Sequence, residues 1–160
     1  MTDKYRPLKN AFGRFATGIA VAACRGEANA ITAITVNSFT SVSLEPPLVL
    51  WCLENRASTY SAFMASESYA VSILRSSQQA ASQRFAHFLP DGPREEEFET
   101  LTTGAPVLRE RLAAFDCKIV ARHPAGDHVI LVGEVVQFDS ADGAPLIYYA
   151  SNYIQGTEKS

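Results

Sequence analysis

Short apolar runs separated by turn sequences recur along most of the chain, and their spacing is the strongest constraint on its fold. Many of the runs are rich in valine, isoleucine and threonine, which favour β-strands. The run after Pro46-Pro47 is continuously apolar, which predicts a central strand buried on both faces. The predicted strands cover residues 19–24, 30–36, 48–53, 69–74, 115–122, 129–138 and 144–149.

Helices are predicted only at the start and in the middle of the chain. In the first, apolar residues recur at helical spacing and would form one buried stripe: Leu8, Ala11, Phe12 and Phe15. This helix should end near Thr17-Gly18. Two more are predicted over 58–66, with Ser58 or Asn55 as N-cap, and over 78–88.

The order of these elements lacks the regular alternation of strand and helix that a Rossmann sheet requires. It favours a mostly β fold with flanking helices, a Greek-key or split β-barrel. With 160 residues and 17.4 kDa, the chain suits a single domain spanning 1–160. The stretch 91–103 mixes glycine, proline and charged residues and is predicted to be a solvated loop.

Composition narrows the possible partners and the compartment. The 14 Lys and Arg against 17 Asp and Glu give a net charge of −3, so we expect no general attraction for nucleic acid or anionic lipid. No apolar run approaches the roughly 20 residues of a membrane span, so we expect no membrane insertion. Cys24, Cys52 and Cys117 are widely spaced and lack a C-x-x-C pair, which predicts reduced thiols in the cytoplasm and no metal site.

Several common catalytic motifs are absent from the sequence. It contains no G-x-G-x-x-G and no G-x-x-x-x-G-K-[ST], which disfavours a conventional dehydrogenase or NTPase. The three histidines form no H-E-x-x-H, and no serine lies in a G-x-S-x-G elbow. Hydrolysis is therefore disfavoured.

A polar cluster between apolar strands is the remaining candidate site. Residues 35–41 and 54–59 are rich in hydroxyl and amide groups, which suit the carbonyls and ring nitrogens of a flat heteroaromatic such as an isoalloxazine. Arg56, with Ser58 and Thr59 at a predicted helix start, could hold a phosphate of FMN or the inner phosphate of FAD.

Two plainer interpretations compete with this one. Serine, threonine and asparagine in loops most often cap helices and satisfy neighbouring backbone groups. His128 follows Gly126-Asp127 in a predicted hairpin, where a histidine is more often a surface turn residue than a ligand contact.

The order of the motifs resembles the flavin reductase-like family of short-chain reductases, which supply reduced flavin to two-component monooxygenases. The block Asn37 to Ser43, followed by Pro46 to Leu50, is the most specific part of the resemblance. The other matching segments are Phe15 to Gly18, Thr35-Val36, Asn55 to Ser58, Arg84 to Ala86, Asp116-Cys117, Gly126 to His128, Gly133 to Val136 and Pro145 to Tyr149.

The resemblance implies a split barrel, usually a homodimer, with hydride passing from NADH or NADPH to FMN or FAD by positioning alone and without a catalytic side chain. His128 and Tyr153 would lie on the side of the nicotinamide nucleotide. The flavin would contact Thr17, Thr35, Val36, Asn37, Ser38, Ser41, Cys52, Leu53, Asn55, Arg56, Ser58, Phe85 and Ala86, with its phosphate near Ser41, Arg56 and Ser58.

Two positions depart from the family pattern. Trp51 is bulkier than the usual small aliphatic residue and would either narrow the flavin face or fill the core. Residues 150–153 replace a more glycine- and arginine-rich ending.

Two other functions stay open: a flavoprotein with bound flavin that reduces a corrinoid or ferric complex, and a flavin-binding module without catalysis.

Overall fold

The computed structural model describes residues 2–88 and 90–158, and there the chain is mostly β. The helices are α1 (Arg6–Phe12), α2 (Tyr60–Ala65) and α3 (Gln79–Phe85). The strands are β1 (Thr17–Gly18), β2 (Ala20–Arg25), β3 (Ile31–Val36), β4 (Thr40–Leu44), β5 (Pro47–Glu54), β6 (Ser68–Ile73), β7 (Phe98–Thr100), β8 (Pro106–Leu108), β9 (Ala113–Ala125), β10 (His128–Ser140), β11 (Leu146–Tyr149) and β12 (Asn152–Gln155).

Seven antiparallel strands form the main sheet, in the order β3-β2-β6-β9-β10-β5-β4. Its two terminal strands, β3 and β4, are joined by residues 37–39, and four extended Cα steps span at most about 14 Å. The sheet must therefore curl until these strands lie near each other, yet in the described chain they form no ladder together. The result is a split barrel, and we call the gap between β3 and β4 the seam.

The core on one side of the sheet is built around Trp51 of β5, which is fully buried. Its ring meets Phe63 of α2 and Tyr69 of β6 edge-on, with centroid distances of 4.8 and 5.7 Å. Of the two roles open to Trp51, the structure supports filling of the core. A Cβ at Gly133 would lie 2.5 Å from the Tyr69 hydroxyl oxygen, so β10 needs glycine where this aromatic cluster touches it.

The prediction that 48–53 is a central strand buried on both faces is wrong. The strand β5 is next to the edge strand β4, and burial alternates along it, with Val49, Trp51 and Leu53 buried. Strands buried on both faces are instead β2, where every residue from Ala20 to Cys24 is buried, and its neighbour β6, where Tyr69 to Ser72 are buried. The runs in β5 and β2 are both apolar, but of these two only β2 has a second layer above it, in which α3 and β11 contribute Phe85 and Leu146.

The buried stripe predicted for the first helix is also wrong. No residue of α1 is buried, and Phe15, just after the helix, is 79% exposed. The stretch 91–103 contains more order than a solvated loop, because its charged residues form a 3₁₀ turn and Phe98–Thr100 pairs with Pro106–Leu108.

A second, three-stranded sheet in the order β1-β11-β12 carries the C-terminal part of the chain. It pairs Thr17 with Tyr148, and Tyr148 in turn with Tyr153. Among the residues described, no helix is long and apolar enough to cross a membrane.

Candidate functional site

The loop that crosses the seam, residues 37–39, is held at both ends. The Ser38 hydroxyl accepts a hydrogen bond from the backbone N–H of Cys52 at 2.9 Å, which ties the loop to β5. Just before the loop, Thr35 Oγ1 donates to the backbone carbonyl of Ser82 in α3 at 2.6 Å, and Val36 is buried. Asn37 is exposed between these anchors. The loop is therefore fixed in place while its amide side chain stays available to a ligand.

Two clefts meet at this loop and share Ile19, Val36 and Asn37 as walls. The larger one, which we call the seam cleft, has a volume of about 470 Å³ and is also lined by Phe15, Ala16, Thr17, Gly18, Ala20, Ser38, Phe39, Thr40 and Ile73. The smaller, the tyrosine cleft, has about 180 Å³ and is completed by Thr35, Ser82, Ala86, Tyr148 and Tyr153.

Hydrogen bonds fix the wall of the tyrosine cleft. The Tyr153 hydroxyl lies 3.0 Å from Ser82 Oγ, and Ser82 also accepts the bond from Thr35 through its carbonyl. The rings of Tyr148 and Tyr153 meet edge-on with centroids 5.4 Å apart. The C-terminal hairpin is thereby tied to both α3 and β3 beside the seam loop.

A third cleft, which we call the loop cleft, contains Ser58 and Thr59 and has a volume of about 170 Å³. Its other walls are Ile31, Thr32, Ala33, His87, Phe88, Gly92 and Pro93. The capping interpretation of this segment is wrong, because α2 begins at Tyr60, its N-cap is Thr59, and no side chain makes a capping hydrogen bond.

Two buried threonine hydroxyls at these clefts have no hydrogen-bond partner in the described chain. Thr17 lines the seam cleft and Thr59 lines the loop cleft, and the Oγ1 atom of each is buried. A buried hydroxyl without a partner costs free energy, so both positions are incompletely satisfied by the described residues.

The turn between β9 and β10 brings His128 next to the start of the segment 55–58. The backbone N–H of Asn55 donates to the Asp127 carbonyl at 2.9 Å, and His128 pairs with Glu54 across the ladder. His128 Nδ1 lies 2.7 Å from Asp127 Oδ1. That hydrogen bond holds the pKa of Asp127 below its usual value, and the positive charge of Arg56 acts in the same direction. Arg56 and His128 therefore share one corner of the molecule.

The remaining residues of the expected site are spread more widely. Ser41 is exposed on β4 and lines none of the clefts described above. Cys52 is half-buried beside Ser38, whereas the side chains of Leu53 and Phe85 are buried in the core. The roles assigned to these residues, and to the others in the expected flavin and nucleotide sites, stay predictions.

The expected site does not include Ser82 or Tyr148, which help to form the tyrosine cleft. Ser82 lies in α3, and only the fold brings its hydroxyl to Tyr153. Burial raises the pKa of the Cys24 thiol to about 11 and that of the Cys117 thiol to about 12, so both are protonated at neutral pH. Neither offers a thiolate nucleophile.

Known proteins share this arrangement over nearly the whole chain. Residues 12–157 match the family model described as flavin reductase like domain. The FMN reductase (NADH) SmoA of Agrobacterium fabrum is 39% identical over 148 residues, which cover 91% of this chain and 83% of the relative. The reductase component of 4-hydroxyphenylacetate 3-monooxygenase from Thermus thermophilus is 35% identical over 148 residues, covering 91% of this chain and 93% of that protein.

Solved structures agree with the sequence comparison. The NADH:FAD oxidoreductase SgcE6 of Streptomyces globisporus, solved in complex with NAD and FAD fragments, superposes with a TM-score of 0.88 at 30% identity. The superposition covers 96% of this chain and 94% of that one. With the family model and full-length relatives in agreement, this chain belongs to the flavin reductase family.

Proposed function

We propose that the chain is an NADH- or NADPH-dependent flavin reductase that transfers hydride to FMN or FAD and supplies the reduced flavin to a partner monooxygenase. The observation that carries this proposal is the fixed seam loop, which lies where two clefts meet and leaves Asn37 exposed between them. The relatives support the same activity, since they include NADH-dependent flavin reductases and a reductase component of a monooxygenase.

The flavin ring would lie against Thr35 to Ser38 and the end of β5 at Cys52-Leu53. Its phosphate would contact the guanidinium of Arg56 and the hydroxyls of Ser58 and Ser41. Arg56 is exposed and makes no hydrogen bond to another described residue, so its five N–H donors are available to an anion. Further contacts would come from Thr17, Asn55, Phe85 and Ala86.

When bound, the flavin supplies an N5 atom that accepts hydride from C4 of the nicotinamide. The residues of this chain contribute orientation and electrostatics. Backbone N–H groups around Thr35 to Ser38 would stabilise negative charge on the pyrimidine ring, in the manner of an oxyanion hole. His128 and Tyr153 would hold the nicotinamide nucleotide, so that the two rings meet in a reactive geometry. No side chain needs to act as a nucleophile or general base.

Anaerobic mixing tests the proposal. The purified chain is combined with FMN or FAD, then with NADH or NADPH, and the visible absorbance of oxidised flavin is followed. Bleaching with many flavin molecules reduced per chain supports the reductase. Bleaching limited to one tightly bound flavin per chain would favour a flavoprotein with another acceptor. Binding without bleaching would leave a flavin-binding module and overturn the proposal.

We further propose a homodimer with the flavin site near the subunit interface. The outer face of β5 and β10 is apolar and only half-buried, where Leu50 pairs with Val132 and Cys52 with Ile130. A twofold partner would cover this face. Dilution should then lower flavin affinity and thermal stability together. A monomer at micromolar concentration that still binds and reduces flavin would contradict this part of the proposal.

We also propose that the chain works in the cytoplasm as a single domain. Cys24, Cys52 and Cys117 are free thiols, and burial protects two of them. Free buried thiols are typical of a reducing compartment. One cooperative unfolding transition in urea, seen alike by circular dichroism and tryptophan fluorescence, is the result expected of a single domain; two separate transitions would contradict it.

A further inference from the structure

Phe88 is an unusual residue for the surface position that it occupies. Its side chain is 76% exposed, yet it forms part of the wall of the loop cleft together with Ser58 and Thr59. The neighbouring His87 is exposed on the same wall. An aromatic ring that is open to solvent beside polar cleft residues provides a flat surface on which a planar group can stack.

Building on the proposed function, we infer that the chain selects FAD over FMN, with the adenosine half of FAD in the loop cleft and its adenine stacked on Phe88. Ser58 lies in the same cleft, so a ligand whose phosphate reaches its hydroxyl can continue directly towards the aromatic wall. FMN ends at its phosphate and cannot make this contact. FAD extends beyond it by a second phosphate, a ribose and a purine.

The opposite wall of the cleft suits a nucleobase edge. It is formed by Ile31, Thr32 and Ala33 of β3, which is a terminal strand of the main sheet and pairs only with β2 in the described chain. Backbone donors and acceptors on the outer side of a terminal strand have no neighbouring strand to bind. Adenine carries an amine donor and ring-nitrogen acceptors, which match such groups.

A neighbouring cleft that also contains Ser58 is a poorer alternative. It is larger, at about 580 Å³, but the described residues that line it include no aromatic ring and do include Glu27, whose carboxylate would repel a phosphate. Its one cation, Arg25, is already paired with Glu95 at 2.6 Å. The aromatic wall and the absence of a carboxylate favour the loop cleft.

Calorimetric titration of the flavin-free chain with FMN and with FAD tests the inference. The wild type should bind FAD more tightly than FMN. Phe88→Ala should weaken FAD binding about tenfold and leave FMN binding unchanged, because base stacking on an aromatic ring is lost. Phe88→Trp should keep the preference. Phe138→Ala is the matched control, since Phe138 is 68% exposed on β10 and lines none of these clefts.

A second measurement does not depend on any variant. Adenosine, which carries no phosphate to compete for Ser58, should compete with FAD for the wild-type chain and leave FMN affinity unchanged. Equal affinity for the two flavins, equal losses in Phe88→Ala, or adenosine that competes with neither flavin or equally with both would overturn the selection of FAD while leaving the reductase intact. A wild-type chain that binds neither flavin would overturn the proposed function, and this inference with it.

Discussion

Two regions of the molecule differ in whether their buried polar groups have hydrogen-bond partners. At the corner where residues 102–103 meet β9, the carboxylate of Asp116 is fully buried and accepts hydrogen bonds from the backbone N–H groups of Thr102 and Thr103, at 2.7 and 2.8 Å, and from the Thr103 hydroxyl. Along the clefts, the buried hydroxyls of Thr17 and Thr59 have no partner in the described chain. The protein itself satisfies the first buried group, whereas no described residue satisfies the two hydroxyls.

The comparison also shows why an unpartnered atom is insufficient by itself to identify a site. Trp51 Nε1 and Arg122 Nε are buried and unpartnered too. The Trp51 indole is enclosed by Phe63 and Tyr69, so no ligand can reach it. Arg122 still donates through Nη2 to the Ser66 carbonyl. Arg122 also lines a cleft, together with Ser66, so neither burial without a partner nor a place in a cleft wall is sufficient alone.

The largest effect on stability is expected at Asp116. Asp116→Ala removes the acceptor for two backbone N–H groups and leaves them buried, which should lower the free energy of unfolding by about 3–5 kcal/mol. Urea denaturation measures this loss. Flavin affinity, measured on the fraction that stays folded, should change little, because Asp116 lies in none of the clefts.

Asp116→Asn is the matched control. The amide retains one acceptor oxygen, so its loss of stability should be smaller than that of the alanine variant. A large fall in flavin affinity with unchanged stability in Asp116→Ala would reverse the comparison between the two regions.

At Arg56 we expect the opposite of Asp116, namely a loss of flavin affinity without a loss of stability. Arg56→Ala should weaken FMN binding by about 1.5–3 kcal/mol, the usual contribution of a hydrogen bond to a charged group, while the urea midpoint stays the same. Titration with FMN and circular dichroism are the measurements. Unchanged FMN affinity in a normally folded variant would remove Arg56 from the site.

His128 tests whether the site has a nucleotide side distinct from its flavin side. His128→Ala should raise the KM for NADH or NADPH several-fold and change flavin affinity less, because the histidine is expected to contact the nicotinamide nucleotide. Steady-state kinetics in which each substrate is varied will measure the two effects. If both substrates respond equally, or neither does, His128 is a turn residue that only bonds Asp127.

Local sequence predicted seven of the twelve described strands and gave less information about layers. Leu48 to Leu53 and Ala20 to Cys24 are both apolar, and nothing within either run shows that only the second is covered on both faces. Burial there depends on α3 and β11, which are far away in sequence. The burial predicted for α1 is wrong for the same reason, because helical spacing identifies an apolar face without identifying what covers it.

Candidate site residues could be selected from the sequence, but how they lie relative to one another could not. Motif resemblance selected residues 35–38 and 55–58, and the structure shows that the first of these segments leads from β3 into the loop that crosses the seam. The contact between Ser82 and Tyr153 joins residues 71 positions apart in sequence, which no local pattern can reveal. The same is true of the loop cleft, where β3, the segment before α2 and the loop after α3 meet.

The smallest effect on stability is expected at Asp139. Its carboxylate has hydrogen-bond partners, as that of Asp116 does, but it is partly exposed. Its carboxylate pairs with Arg111, at 3.0 Å from Nε and 2.5 Å from Nη2, and Arg111 also binds Glu99. The hydrogen bond from Arg111 lowers the pKa of Asp139 below its ordinary value of 3.8. A carboxyl whose pKa is lower in the folded state stabilises the fold above its unfolded pKa, and this contribution is lost as the pH falls through the folded pKa.

Asp139→Asn should therefore lower the free energy of unfolding by only about 0.5–1 kcal/mol at neutral pH, because the Asp139 side chain is 40% exposed and solvent screens the pair. The difference from wild type should shrink as the pH falls from about 5 to about 2, where the wild-type carboxylate becomes protonated. Urea denaturation across that range measures it, with added salt as a second test of screening. Parallel curves of stability against pH for the two proteins would show that the ion pair contributes nothing. A loss as large as that of Asp116→Ala would show that the exposure of Asp139 does not reduce its contribution to stability.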